Sequence, residues 1–309
     1  MENFTIEIDA DGIALVTFDV PGRSMNAISA SVQRDLDVLV AAIKSDDSIR
    51  AMVLQSGKES GFCAGADLTE MPADMARWRA AETEEEKRAG ALDAGGFSQR
   101  IRAIETCGKP VAAVIAGLAL GGGLELALGC HFRVAVDDPK LRLALPEASI
   151  GLMPGAGGTQ RLSRLIGVNA AMPYLLDGKV ISPAEALAGG IVHAVVPHEL
   201  LIDTARRWIL DRGTAVAPWD REGFKVPGGE PRGAAGYPTF GADAFVEAVR
   251  AAPQQSSTDN MLKALYEGSK VPMDPALLIE SRYFFDTARS PEAMEKVEAF
   301  LNRRTQRES

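Results

Sequence analysis

The sequence predicts an α/β fold over its first 212 residues and an all-helical extension after it. Three observations carry this. Short apolar runs alternate with helix-period segments as far as about residue 212. One of those runs is apolar without alternation, as a strand buried on both faces must be. Beyond about residue 241 only helical patterns occur. The expected organisation is an α/β core over residues 1–212. A Gly/Pro-rich loop and helical extension over 213–309 then packs on the core or on a neighbouring subunit.

The elements follow in order. Residues 6–8 and 13–18 are β-rich runs around Asp11-Gly12, a hairpin turn signature. Val32, Leu36, Leu39, Val40 and Ile43 recur at helical spacing and predict a helix over 30–44. Residues 51–55 form a short apolar strand, and the 82–87 charge run reads as a solvated helix face or a mobile loop. Ile101 and Ile104 close a helix that Gly108-Lys109-Pro110 stops, and residues 111–116 are the non-alternating strand. A helix opens at Gly121-Gly122-Gly123 and runs through Leu128. Strands at 132–136 and 141–145 flank an Asp-Asp-Pro turn. Ser182-Pro183-Ala184-Glu185 is a capping box, and 198–212 form a further helix. Strands separated by helices predict right-handed βαβ units and a largely parallel sheet. After the 213–241 loop, helices are expected at 245–249, 261–266, 274–285 and 290–301; Asp274-Pro275 and Ser290-Pro291 open the last two.

Composition narrows the function. The chain has 309 residues, 46% of them apolar, enough to bury a core and unlike a disordered or disulfide-stapled chain. Lys and Arg number 33 against 42 Asp and Glu, a net charge of −9 without a basic stripe, which argues against nucleic-acid binding. Cys63, Cys107 and Cys130 lack CxxC spacing and read as reduced thiols. His131, His193 and His198 show no metal-ligand spacing, so no metal site is expected. No signal-peptide pattern opens the sequence, and no apolar run approaches the roughly 20 residues of a membrane helix. A cytoplasmic protein with no membrane association is expected.

Three segments bear on chemistry. Gly117 to Glu125 follows a buried strand and enters a helix. Its glycines fit two roles, close packing of helix on sheet or a backbone donor site for an anion or polarised carbonyl. Glu125 favours the second, because it lies one helical turn beyond Gly122, where the helix start stabilises an ionised base. Glu147 follows Leu145-Pro146 at a predicted strand end, with Pro146 expected to hold the chain extended. Alone it is a surface acid; paired with Glu125 it offers acid/base catalysis. The small-residue segment 61–68 supplies one more backbone N–H or only a tight turn. Gly155 to Gln160 fails as a dinucleotide-binding loop, since Gln160 stands where the last glycine belongs.

Four segments in this order resemble the crotonase (enoyl-CoA hydratase/isomerase) superfamily: Gly22 to Ala27, Phe62 to Leu68, Ala119 to Ala127, and Pro146-Glu147 with 151–161. The tail, from Val226-Pro227-Gly228-Gly229 to Arg282-Tyr283-Phe284, is similar to the linker after the hydratase region of multifunctional fatty-acid β-oxidation proteins. The sequence ends at Ser309, before the dehydrogenase domain that such proteins carry next, so it resembles the hydratase part standing alone.

The resemblance implies a spiral of ββα turns and an acyl-CoA thioester substrate, with no metal and no cofactor beyond the CoA of the substrate. It implies an oxyanion hole from the N–H groups of Ala66 and Gly122, Glu125 activating water, and Glu147 delivering a proton to Cα. Arg23 and Met25 match positions near the nucleotide end of CoA, and Asp67, Leu68 and Thr69 line the pantetheine path. The implied activity is syn hydration of a trans-2-enoyl-CoA. Conversion of 3-enoyl-CoA to 2-enoyl-CoA is the alternative, and a non-catalytic acyl-CoA-binding or docking protein a third. The family implies a homo-oligomer, a trimer or hexamer. Two departures stand out: the 137–142 turn lengthens the Glu125 to Glu147 spacing by two residues, and His131 replaces a common Asp, expected to act in packing or behind the site.

Overall fold

The computed structural model describes residues 1–231, 234, 236–241, 243–252 and 257–308. It opens with β1 (Phe4–Ile8) and β2 (Ile13–Phe18), an antiparallel hairpin as expected. Its turn needs Gly12, at φ +76°, where a Cβ would lie 2.7 Å from the Ser48 carbonyl oxygen. Next comes α1 (Ala30–Ser45), whose buried stripe Val32, Leu36, Leu39 and Ile43 is the apolar face read from the sequence. Ser29 caps it by accepting from the Val32 N–H.

The chain continues through β3 (Ala51–Ser56), β4 (Gly61–Cys63), α2 (Met71–Arg79), α3 (Glu84–Ala94) and α4 (Gly96–Glu105). It then forms β5 (Val111–Ile115), β6 (Leu118–Leu120), α5 (Gly122–Leu128), β7 (Phe132–Val136) and β8 (Leu143–Ala144). A 3-10 turn (Glu147–Ile150) leads to α6 (Gly158–Ile166), α7 (Val168–Leu176), α8 (Pro183–Ala188), β9 (Ala194–Val196) and α9 (Leu201–Arg212). The extension carries α10 (Tyr237–Phe240), α11 (Asp243–Ala251), α12 (Ser257–Gly268), α13 (Met273–Ala288) and α14 (Pro291–Glu308).

Two sheets result. The larger has the order β1-β2-β3-β5-β7-β9 and is parallel from β2 onward; the smaller, β4-β6-β8, is parallel throughout. Successive turns of the chain give one strand to each sheet, β3 then β4, β5 then β6, β7 then β8. That is the expected spiral of ββα turns. β5 and β7 are buried along their whole length, which explains the unbroken apolar character of β5; β7 carries one buried charge, Arg133, whose guanidinium donates to the carbonyls of Ile191 and Cys130.

The residues group into two compact units. The first comprises 1–66, 99–144 and 180–224 and contains both sheets. α9 packs on β3, β5 and β7, and Trp208 stacks on Phe132 at 4.9 Å. The second comprises 67–98, 145–179 and 225–309. Here α12 and α13 of the extension pack against each other and against α6, and α13 also packs on α3. Trp78 of α2 meets Phe284 and Phe285 of α13 edge-on at 5.9 and 6.5 Å. The 82–87 charge run resolves into the helix reading: Thr83 and Glu86 form a capping box that opens α3.

Two local expectations are corrected. Pro146 is not extended; at φ −87°, ψ 12° it begins the 3-10 turn, so Glu147 stands at the head of that turn rather than at a strand end. Proline fixes its own φ but leaves ψ free, and here ψ takes the turn value. The strand expected at 141–145 is shortened to Leu143–Ala144.

Candidate active site

The first unit assembles three of the predicted site residues. β4 pairs in parallel with β6, Cys63 opposite Ala119, which sets the segment after β4 beside the start of α5. Gly65, at φ +98°, lies so close that a Cβ there would be 2.9 Å from the Leu120 carbonyl oxygen and 3.5 Å from the Gly122 nitrogen. The Ala66 and Gly122 segments are therefore neighbours. Ala66 is exposed, and Ile28 donates its N–H to the Gly65 carbonyl at 2.8 Å, bridging this segment to the chain after β2. Gly122 is the first residue of α5, where a backbone N–H has no intrahelical acceptor. Glu125 follows one turn later, buried, its own N–H bonded to the Gly121 carbonyl at 3.0 Å.

One residue that organises this corner carries no site role in the sequence reading. Asn26 is fully buried; its Oδ1 accepts from the Val20 N–H at 2.9 Å. Its Nδ2 donates to the carbonyls of Phe18 at 2.7 Å and Phe62 at 3.2 Å and to Ser56 Oγ at 3.1 Å. A single carboxamide thus ties the ends of β2, β3 and β4 together. The only sequence signal was its place in the segment Gly22 to Ala27. Arg23 is exposed and Met25 half-buried on the same loop, with Ser60 Oγ 3.5 Å from Met25 Sδ. Burial pushes the Cys63 thiol up to about 12, so it is a packing group rather than a nucleophile.

The 137–142 turn, where the longer Glu125 to Glu147 spacing is expected, closes on itself before β8. Asp138 closes the 137–142 turn, accepting from Leu141 N–H on its carbonyl and from Lys140 N–H on its carboxylate. β8 then pairs in register with β6, Leu143 opposite Ala119 and Ala144 opposite Leu120. His131 acts in packing, as expected: Val111 N–H donates to its Nδ1 at 3.0 Å, and Nε2 sits 3.0 Å from the Glu105 carbonyl. Burial lowers its proton affinity, which suits a neutral ring accepting at Nδ1 and donating at Nε2.

The second unit holds Asp67, Leu68, Thr69 and Glu147. Asp67 Oδ1 accepts from Thr69 N–H at 3.1 Å and Thr69 Oγ1 at 2.7 Å, shaping the turn that leads into α2. Glu147 is half-buried as a residue, yet its Oε2 is sealed from solvent and takes no hydrogen bond. Burial first, and then the charge of Glu280, raise its pKa to about 7, while its own N–H pulls the other way. Among the described residues no group of three or more His, Cys, Asp and Glu is placed to hold a metal.

Residues 9–212 match the family model described as enoyl-CoA hydratase/isomerase. The chain belongs to that family. The expectation of an enoyl-CoA hydratase-type enzyme with a crotonase fold is thereby borne out at the level of the family. The chain is similar to the fatty acid oxidation complex subunit alpha of Shewanella baltica, 45% identical over 221 residues, covering 70% of this chain and 29% of that one. It is also similar to the protein of that name from Idiomarina loihiensis, 34% identical over 308 residues, covering 96% of this chain and 40% of that one. The chain thus spans well under half the length of these relatives. Among solved structures it resembles an enoyl-CoA hydratase from Bacillus anthracis, with 26% identity, coverage of 97% and 96%, and a TM-score of 0.57. The enoyl-CoA hydratase fold from Bacillus halodurans matches with a TM-score of 0.65 at 20% identity, covering 96% and 99%. Among the described residues no helix is long and apolar enough to cross a membrane.

Proposed function

We propose that this chain hydrates trans-2-enoyl-CoA thioesters to 3-hydroxyacyl-CoA, as a step of fatty-acid oxidation in the cytoplasm. The observation that carries the reading is the first unit's corner: the Ala66 and Gly122 segments side by side, with buried Glu125 one turn beyond Gly122. Two main-chain donors on the thioester oxygen draw electron density from the double bond, leaving Cβ electrophilic and stabilising the enolate that follows attack. Glu125 takes a proton from water as its oxygen bonds to Cβ. Glu147 gives its proton to Cα as the enolate collapses, so one water is added in all and the carboxyls reset by exchange with solvent. A carboxyl raised to about 7 retains its proton well above the ordinary carboxylate range, which supports the donor role for Glu147. In this proposal Arg23 and Met25 meet the nucleotide end of CoA, while Asp67, Leu68 and Thr69 follow its pantetheine arm. The reaction needs no metal or added cofactor, and the working form is a trimer or hexamer.

The test is hydration of short, medium and long trans-2-enoyl-CoAs by wild type, Glu125→Gln and Glu147→Gln. Each variant should lose about 10²–10⁴-fold in kcat while binding the thioester within a few-fold of wild type. Wild-type hydration by either variant removes that glutamate from the mechanism. A parallel arm with a 3-enoyl-CoA measures double-bond migration, which needs the same oxyanion donors and one carboxylate.

A further inference from the structure

The second unit buries another carboxylate that takes no part in the chemistry above. Glu280 lies on α13 in the helical extension and is fully buried. Its Oε1 accepts from the Gly157 N–H at 2.5 Å; its Oε2 accepts from the Thr159 N–H at 2.9 Å and from the Thr159 hydroxyl. A side chain more than 120 residues downstream therefore fills the N-terminus of α6. It also fixes the far end of the 151–157 loop. The near end of that loop is the Glu147 turn itself, where Leu152 N–H bonds the Glu147 carbonyl at 3.0 Å and Gly151 N–H the Ala148 carbonyl at 3.1 Å.

We propose that Glu280 is a positioning residue for Glu147: it anchors the loop that leaves the Glu147 turn, and its ionised carboxylate keeps the proton of the pair on Glu147. Glu147's part in turnover rests on the hydration reading above.

The asymmetry between the two carboxyls supports this. Burial raises both to about 7, but at Glu280 it works against bonds from Thr159 and Gly157 and the charge of Arg161, at Glu147 only against that residue's own N–H. Glu147 Oε2 has no donor. Two buried carboxyls in one field do not ionise together, so the better-solvated one ionises first. Charged groups on the packed elements have partners of their own: on α6, Arg164 donates to Gln160 and to the carbonyls of Gly268 and Val271, and on α14, Lys296, whose stem lies against Gly151, turns its ammonium to Glu292. On α12, Glu267 takes Arg282 and Tyr283 of α13; on α3, Lys87 pairs with Glu84; on α2, Arg77 takes Asp74 and Asp93. On α7 the one ionisable side chain is Tyr174.

The first test needs no turnover: carbon-13 NMR titration of the glutamate side-chain carboxyls, with signals assigned by Glu147→Gln and Glu280→Gln. In wild type the Glu147 signal should titrate near 7, and in Glu280→Gln about one unit or more lower. The alkaline limb of kcat/KM should move down with it, giving about a tenfold loss at pH ~8 and less than about twofold at pH ~5.5. Glu280→Asp, which keeps the charge, should return the limb towards wild type. The proposal is overturned if Glu147 titrates near 4.5 in wild type, if it is unmoved in Glu280→Gln, or if that variant loses the same factor at every pH. Should Glu280→Gln fail to fold, the wild-type titration and Glu280→Asp decide. A wild-type chain without hydratase activity defeats the proposed function, whereas the carboxyl titration still decides the link between Glu280 and Glu147.

Discussion

Two helices of this chain begin in the same way, and their N-termini meet different fates. α5 starts after Gly121 at φ +50° and α6 after Gly157 at φ +102°, each at the end of a glycine-rich stretch. At α6 the exposed amides are already satisfied from within the protein by the Glu280 carboxylate. At α5 the residue before the helix, Gly121, has no side chain to cap the start, and the neighbouring segment is a second strip of backbone ending at exposed Ala66. Glycine before a helix marks an anion-accepting end. Whether the anion is part of the fold or brought by a substrate is settled by what the rest of the chain carries to it.

The sharpest way to break this comparison is at Gly123. A Cβ there would lie 2.5 Å from the Cys63 carbonyl oxygen and 2.7 Å from Cys63 Cβ, so Gly123→Ala must push α5 away from β4. Because Cys63 leads to Ala66 and Gly123 follows Gly122, the two amides proposed as donors should separate. The expected result is a loss of about 10²–10³-fold in kcat/KM. Overpacking should also cost about 1–3 kcal/mol of stability. Steady-state kinetics with a denaturant melt read both; a variant with full activity would show that the spacing of these segments does not matter to turnover.

The α6 side is tested by pH. Glu147 is raised in the folded chain above its ordinary 4.5, to about 7. The folded state therefore binds more protons than the unfolded one between those values. Its contribution to stability is fully present below about pH 4.5 and is lost as pH rises through 7. The size is about 3 kcal/mol. Denaturant melts across this range should show the fall, and Glu280→Gln should flatten it. An unchanged slope in that variant would mean that burial alone, without Glu280, holds the proton on Glu147.

Much of the fold was readable because it is written locally. The β1–β2 hairpin, α1, β5, α5 and the capping box before α8 each declare themselves by period, turn residues or caps within a few positions. The half of the candidate site on α5 was readable for the same reason, since Gly122 and Glu125 are one turn apart. What escaped is what depends on distant pairing. β4 and β6 have only three residues each, too few for a period, yet their register is what brings Ala66 beside Gly122. α7 hides behind Pro173 in its interior. Asn26 looks like one more polar residue of a loop until its four partners converge. Glu280 lies on a helix whose apolar face was clear, but nothing near it in sequence reveals that it reaches Gly157 and Thr159.

The smallest expected effect refines the α6 side further. Thr159 is fully buried; its hydroxyl donates to Glu280 and accepts from Gln160 Nε2 at 2.9 Å. Thr159→Val keeps the shape and the β-branch but removes that hydroxyl. Glu280 then retains the two backbone donors, and Gln160 keeps its bond to the Ala264 carbonyl at 3.0 Å. The cost in stability should be about 1–2 kcal/mol, since the hydroxyl's bonds to Glu280 and from Gln160 are both lost while each partner keeps another. The proton balance should move as well. With one donor fewer, the ionised form of Glu280 is less favoured, so it competes harder for the proton and the alkaline limb assigned to Glu147 falls by a few tenths of a unit. This is the direction expected for Glu280→Gln, but smaller, because the charge remains. Thioester binding at the α5 corner should not change. A limb that rises in Thr159→Val would mean that the two carboxyls do not share a proton, and the filled helix end would then serve folding alone.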